Sequence, residues 1–585
     1  RQRPPSERLY KNGSVYSIND PIYTESAQHH IIKPQRKELR RSSSVPSSVS
    51  RRKRVDDKYN SVKRAVEELN RAIGHERRIA AITNACAEFD HWDETKHSAE
   101  LNYGAANVLS LVLSMTDDDD EIRMICAALE MVFRASSEMV KASFEEVGSA
   151  VVPLMLRLLE RCESGNMKHA DVSISNISKV LLYFSRVPDL RVPLARHQGL
   201  LAALTRVATS ILNADCRVVR MRVLANLANS EDNKVTMFEH GGLVESVLKI
   251  ATLDLSDSAR EFASAALMDL ASCPYNQVPM ARSDKLLGTL VKLAVIDDKA
   301  ETREFAVTGL QNLAFAKENR KRLATYGSGV VIEALKKTVS SDPCDKARRR
   351  AAGALTNLTC DETAERIGNH KGLLDTLANV TSVDKNSDVQ KRAVLALTKI
   401  ATSITIDMPC HSALLDALVT AASSKNSSGV ASVLRMKARL PENRDSMARH
   451  PYVLDTLCQI SKGNDKEYPL KERENALRAM MHLSNESANR RLLCNKMILD
   501  ALVYCASRTG DQYMETRESA IVTIERLATE VANRQYLARH EGLIVAVAQA
   551  TERELRAELE MTSGENPSGH SRLAKPLLMS LLLAM

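Results

Sequence analysis

The sequence predicts an all-α chain, a right-handed superhelical solenoid of about 10–11 repeats closed by helical caps. Three observations lead there. A unit of three short helices is readable over Arg217 to Ala251. Similar units recur at a spacing of about 43 to 46 residues. The composition, 4% aromatic with a single tryptophan, Trp92, suits a core of Leu, Ala, Val, Ile and Met spread along a stack.

In that unit, Val218, Met221, Leu224, Leu227 and Ala228 share one helical face. Ser230 to Asn233 is a polar break offering N-cap groups to a second helix, Lys234 to His240. Gly241-Gly242 can take the positive φ that ends it, and Leu243 to Ala251 forms a third, largely apolar helix. No such unit buries its own apolar faces, so it must stack on copies of itself. With Asn233 as anchor, the pattern returns at Asn276, Asn319, Asn443, Asn489 and Asn533, and more weakly from Thr95, Met139, Leu190, Thr363 and near Ile404. The one long step, about 51 residues, coincides with the polar insertion Glu163 to His169.

The segments before the anchors, LANLAN at 224–229, LQNLAF at 310–315 and LTNLTC at 355–360, resemble the third helix of an armadillo repeat. The resemblance covers about Thr95 to Ala550. It implies that the third helices line a concave groove and that Asn226 is a ladder residue binding the backbone of an extended partner. Carried along the repeats, that position falls on Asn84, Met131, Tyr183, Asn226, Asp269, Asn312, Asn357, Lys399, Met436, His482 and Arg526. Importin alpha, in the same family, has tryptophan one turn earlier, where this chain has Arg222, Thr308 and Gly353, so the groove is not expected to hold lysine-rich import cargo. Basic residues stand instead at or near the ladder: Lys179, Arg222, Arg350, Arg392, Lys399, Arg478, His482 and Arg526, with Asp269 as the acidic exception. This pattern is similar to the basic groove of beta-catenin, which accepts acidic, extended ligands. The alternative is the ordinary charge of any solvated helix face.

In chain order, residues 1–55 form a tail rich in Ser, Pro and Arg that cannot bury enough apolar surface to order itself. Arg1 to Arg54 carries 13 Lys and Arg against 4 Asp and Glu, a net +9. The remaining 68 Lys and Arg against 69 Asp and Glu leave the body at −1. Arg40-Arg41 and Arg51-Arg52-Lys53-Arg54 resemble the two clusters of a bipartite nuclear-import signal, the alternative being a basic arm that touches nucleic acid or acidic lipid. Between them, Arg41 to Pro46 matches the form bound by 14-3-3 proteins once Ser44 is phosphorylated, or is a Ser-rich linker. Residues 56–103 read as an N-terminal helical cap with a break at Gly74, 104–550 as the repeat solenoid and 551–585 as a C-terminal cap. Asp117 to Asp120 lacks the alternating ligands of a calcium loop and reads as the N-terminus of a helix starting near Glu121. The Ala-Arg-His triplets at 195–197, 448–450 and 538–540 read as helix C-terminal chemistry, since a catalytic histidine does not recur once per repeat.

No phosphate-binding, dinucleotide, zinc-protease or nucleophile-elbow motif is present, and the 11 cysteines stand singly, as small core residues of a reducing compartment do. No catalytic residue, metal or cofactor is therefore expected. No apolar run reaches the length of a membrane span, and no signal peptide is expected. A near-neutral body with few aromatics disfavours nucleic acid for the solenoid. The expectation is a cytoplasmic or nuclear, non-enzymatic scaffold that holds an extended, acidic partner segment. Two readings compete with it: a phosphorylation-regulated shuttle or transport adaptor, and a regulatory subunit of an enzyme complex.

Overall fold

The structure is a computed structural model that describes most of residues 63–90 and 118–561, together with 108, 109 and 112; the gaps inside those stretches include 134–136, 164–169, 207–212, 405–411 and 425–426. Ser44, both basic clusters, Trp92 and the segment from Pro576 to Met585 lie outside the described residues. Among the described residues there are helices and no strand.

The unit over Arg217 to Ala251 takes the expected form with moved boundaries. Its first helix is Ala214–Ala228, capped by Asn213, whose side chain accepts from the Cys216 N–H at 2.8 Å. The next is Glu231–Glu239, and Ser230 makes no side-chain cap there, contrary to the sequence reading. Gly242 at φ 80° then turns the chain into Leu243–Leu253.

One helix of each repeat packs on its counterparts before and after, forming a continuous ladder. In chain order these are α1 (His75–Asp90), α2 (Asp119–Phe133), α3 (Ala170–Arg186), α4 (Ala214–Ala228), α5 (Asp257–Ser272) and α6 (Ala300–Leu313). There follow α7 (Asp345–Leu358), α8 (Ser387–Ser403), α9 (Val430–Arg439), α10 (Leu470–Leu483) and α11 (Met514–Thr529). Leucine pairs at matching heights, Leu224 and Leu227, Leu267 and Leu270, Leu310 and Leu313, Leu355 and Leu358, are buried throughout. They belong to one apolar core running from Ala65 to Val547. At roughly 1.5–3 kcal/mol per buried leucine, the stabilisation lies between repeats rather than within them.

The repeat from Met139 departs from expectation. Two helices with a break were anticipated, but Ser137–Glu163 is one helix of 27 residues that runs through Pro153. Gly148, at its middle, has no positive φ to end it, and the Phe144 ring lies where a Cβ would sit. Gly74 takes a φ of 95° just before the helix His75–Asp90, where the sequence predicts a break. Asp118 caps α2, accepting from the Asp120 and Glu121 N–H groups at 3.1 and 2.9 Å, so Asp118 to Asp120 are helix-terminal as read; Asp117 lies outside the described residues. Among the described residues no group of His, Cys, Asp or Glu is placed to hold a metal, and no helix is long and apolar enough to cross a membrane. The described cysteines are free, and burial pushes the Cys126, Cys458 and Cys505 thiols up to about 12.

Candidate partner groove

Two sets of polar side chains hold the ladder helices in register. The first is the row of anchor asparagines. Asn276 is buried, and its Nδ2 donates to Leu270 O at 3.1 Å, in the ladder helix just ended, and to Lys234 O at 3.0 Å, one repeat back. Asn233, Asn319, Asn489 and Asn533 make the same pair of bonds. Where Thr363 replaces asparagine, its hydroxyl donates to Leu358 O, and the helix that follows shrinks to five residues, Ala364–Gly368.

The second set is a chain of arginine–aspartate pairs at the starts of the ladder helices. Arg217 reaches Asp254 at 2.5 Å, and Arg260, Arg303 and Arg348 reach Asp297, Asp342 and Asp384 at 2.7 Å each. Each aspartate also accepts the N–H two residues on. Arg260, Arg303 and Arg348 donate back to the carbonyls of Asp254, Asp297 and Asp342, and at the end of the row Gln390 donates to Asp384 O. These charges serve the stack and are not available to a partner.

The ten residues assigned to the groove, Arg222, Asn226, Asn312, Arg350, Asn357, Arg392, Lys399, Arg478, His482 and Arg526, are all half-buried, on α4, α6, α7, α8, α10 and α11. Most of them also bond to the chain itself. Asn226 Nδ2 donates to Ser185 Oγ at 3.0 Å, Asn312 Nδ2 to Met268 O at 3.2 Å and Asn357 Nδ2 to Gln311 O at 3.4 Å. Lys399 Nζ donates to Thr356 O at 2.7 Å, and Arg526 Nη1 to Met481 O at 2.6 Å. The sequence reading gave the amides wholly to a partner; in the structure one N–H of each is committed to the ladder helix before it, leaving Oδ1 and the second N–H. Arg478 pairs with Glu515, which neutralises it locally. The acidic exception, Asp269, is pushed up to about 7 by burial, against the pull of Lys234, Asn229 and Arg191.

Like charges gather on this face. The Arg222 guanidinium lies 5.3 Å from the Phe262 ring, and burial, with Arg186 beside it, holds it below its usual range in spite of Glu261. Burial, and then Arg320, lower Lys399. Arg350 Nε is buried without a hydrogen-bond partner, and it shares Glu304 with Lys346 and Arg349. His482 is held below its ordinary range by burial and then by Arg444, Arg526, Arg435 and Arg439.

Arg186, Arg320, Arg435, Arg439, Arg444 and Arg490 were not anticipated here. A signal existed for three of them: arginine follows the anchor asparagine at 320, 444, 490 and 534. The Arg444 guanidinium donates to Ala438 O and Arg439 O at 3.3 and 2.9 Å, and Arg490 to Ser484 O and Asn485 O at 3.2 and 3.4 Å. Arg320 and Arg534 do the same at the ends of α6 and α11, each placing a cation where a helix presents its unpaired carbonyls. The histidines were read as helix-end groups too, but His450 and His540 reach Asp416 and Asp500 of the neighbouring repeat at 3.1 Å.

No protein-family model and no curated protein matches the sequence. Solved structures do match. An engineered protein aligns over 80% of this chain and 98% of its own, at 20% identity and a TM-score of 0.53. A structure from a study of a phosphorylation switch in the interaction between cadherin and beta-catenin aligns over 89% of this chain and 99% of its own, at 14% identity and a TM-score of 0.52. A designed armadillo repeat protein in complex with the peptide (KR)4 aligns over 42% of this chain and 99% of its own, with 20% identity and a TM-score of 0.35. With the same repeat stepping along the ladder and two solved structures, one of them from the cadherin and beta-catenin study, aligning with most of the chain, the fold is that of an armadillo-type α-solenoid.

Proposed function

We propose that the protein is a non-enzymatic scaffold whose ladder face holds an extended, acidic segment of a partner protein. The observation that carries this reading is the gathering of like charges on this face: half-buried Arg222 beside Arg186, half-buried Lys399 beside Arg320, and four arginines around His482. Collecting like charges costs stability, and an anionic ligand relieves that cost. With Nδ2 of Asn226, Asn312 and Asn357 bonded within the chain, their Oδ1 atoms would accept backbone N–H groups of such a segment, giving register without sequence preference.

The test is binding of a fluorescent Glu-rich peptide to the full chain. Arg350 shares Glu304, so a reversal to glutamate there would disturb the fold; Arg350→Gln with Arg392→Gln removes the charge more gently. The double variant should weaken binding by roughly tenfold or more while the helical melt is unchanged, because partly buried charge-assisted bonds are worth about 1.5–3 kcal/mol each. Binding should also weaken as salt rises. Unchanged affinity in the double variant would show that the ladder face is not the site.

A further inference from the structure

Helices end at the same place in four successive repeats. Leu243–Leu253, Asp284–Ile296, Val330–Ser341 and Leu373–Val383 lead into α5, α6, α7 and α8. Each stops one residue short of an aspartate held by a ladder arginine, so the Arg–Asp chain sets the four helix ends in a row along one edge of the stack. Three of the ends carry a large apolar side chain that the fold leaves uncovered. Leu253, Ile296 and Val383 are 66%, 60% and 76% exposed, and Leu255, beside the first, is 94% exposed. The remaining end, Ser341, is polar and exposed. Single exposed apolar residues are ordinary, but recurrence at one place in consecutive repeats makes a surface. The row is confined to this stretch: the helices leading into α9, α10 and α11 end at Ala422, Lys462 and Ala506, and both alanines are buried.

One turn before the row stand Lys249, Lys292 and Lys337, all exposed. Lys292 Nζ donates to Thr252 O at 3.5 Å, which brings it beside the end at Leu253. Among the described residues none of these lysines forms an ion pair. On the other side of the row Asp257, Asp345 and Asp388 already bond to Arg260, Asn386 and Lys391. The charge left over beside the apolar row is therefore positive.

We propose that this edge is a second docking surface, separate from the ladder face, and that its occupant is an amphipathic α-helix of a partner protein. That helix is apolar at heptad spacing and acidic along the flank that meets the lysines. Packed helices stand roughly 8–10 Å apart, so the row advances by about that distance per repeat. Seven residues of an α-helix rise about 10.5 Å and return to nearly the same face, so one side chain per heptad meets each repeat. An extended strand covers the same step in about three residues, which turns every second contact away from the row. A polyproline segment matches the step too, at about 9.3 Å per three residues, and the test separates the two. Ser341 favours a polar residue at the heptad position facing it, which fixes the register.

The experiment uses the full chain and a fluorescent amphipathic peptide of about three heptads, with leucine at the heptad positions and glutamate on one flank. One control peptide carries proline at its centre, and another has lysine in place of glutamate. The wild type should bind the first peptide about tenfold or more tightly than either control. Ile296→Ser with Val383→Ser alters only exposed side chains, so the helical melt should not change while binding weakens about tenfold or more. Lys249→Glu with Lys292→Glu should reverse the preference between the glutamate and lysine peptides. Arg350→Gln with Arg392→Gln should leave the affinity for this helix within about twofold, and I296S/V383S should do the same for the Glu-rich peptide of the ladder face, so the two surfaces fail separately. Unchanged affinity in I296S/V383S overturns the proposal, as does loss of helix binding in R350Q/R392Q or the absence of binding by the wild type. A proline control that binds equally well overturns it by making the occupant extended. Sedimentation of the chain without peptide decides the last alternative: a dimer that I296S/V383S dissolves would make the occupant a second copy of this chain, and overturns the partner helix.

Discussion

Replacing Asn276 by alanine tests whether the anchor asparagines join one repeat to the next. The side chain is 1% exposed and donates two hydrogen bonds, 3.1 Å to Leu270 O and 3.0 Å to Lys234 O. Both carbonyls belong to helices, and Leu270 O also accepts from the Cys273 N–H, so they are not left bare by the substitution. The loss is therefore that of two ordinary buried bonds, about 1 kcal/mol each, or about 2 kcal/mol in all. Long repeat arrays do not unfold in one step, so a single denaturation midpoint is a poor measure. Amide hydrogen exchange resolves the effect by segment. A loss of about 2 kcal/mol should speed exchange about 30-fold where opening of this interface is the route. Because one bond crosses to the preceding repeat, the change should appear in both Pro274–Arg282 and Glu231–Glu239. Asn379→Ala, at an exposed helical position, is the control and should change stability by less than about 0.5 kcal/mol. If Asn276→Ala behaves like the control, or loses protection in Pro274–Arg282 alone, the anchor does not couple repeats.

Two further outcomes follow from the buried charges. Burial alone would raise the Asp254 carboxyl, but the Arg217 hydrogen bond and the Ser256 N–H hold it below the ordinary range. Its stabilisation is thus present above about pH 4 and lost as pH falls through the depressed folded value. Arg217→Ala should cost about 3 kcal/mol at pH 7, since it strands a carboxylate whose side chain is 2% exposed, and the deficit should shrink in acid; a deficit independent of pH in denaturation curves refutes the pairing. Asp269 has the opposite sign, with a folded value raised to about 7, so wild-type stability should fall as pH rises from about 4 to about 7. Asp269→Asn should therefore gain on the wild type between melts at pH 5 and pH 8, and equal gaps at the two pH values would contradict the assignment.

The sequence by itself determined the fold class and the repeat, because a period of about 43 to 46 residues and the i, i+3, i+4 spacing of Leu224, Leu227 and Ala228 are local properties that stacking only amplifies. It also marked the anchors correctly at Asn233, Asn276 and Asn319, without showing that they are buried staples. What each polar side chain bonds to was decided by tertiary structure, since partners some 40 residues apart meet only once repeats are stacked. Asn226 and Lys399 look equally free on a helical wheel, yet each donates to the preceding ladder helix. Arg217, Arg260 and Arg303 cannot be told from groove cations until Asp254, Asp297 and Asp342 are placed beside them. The cluster around His482 likewise draws on α9, α10, α11 and the helix between α9 and α10, and only the geometry of stacking brings those charges to one point.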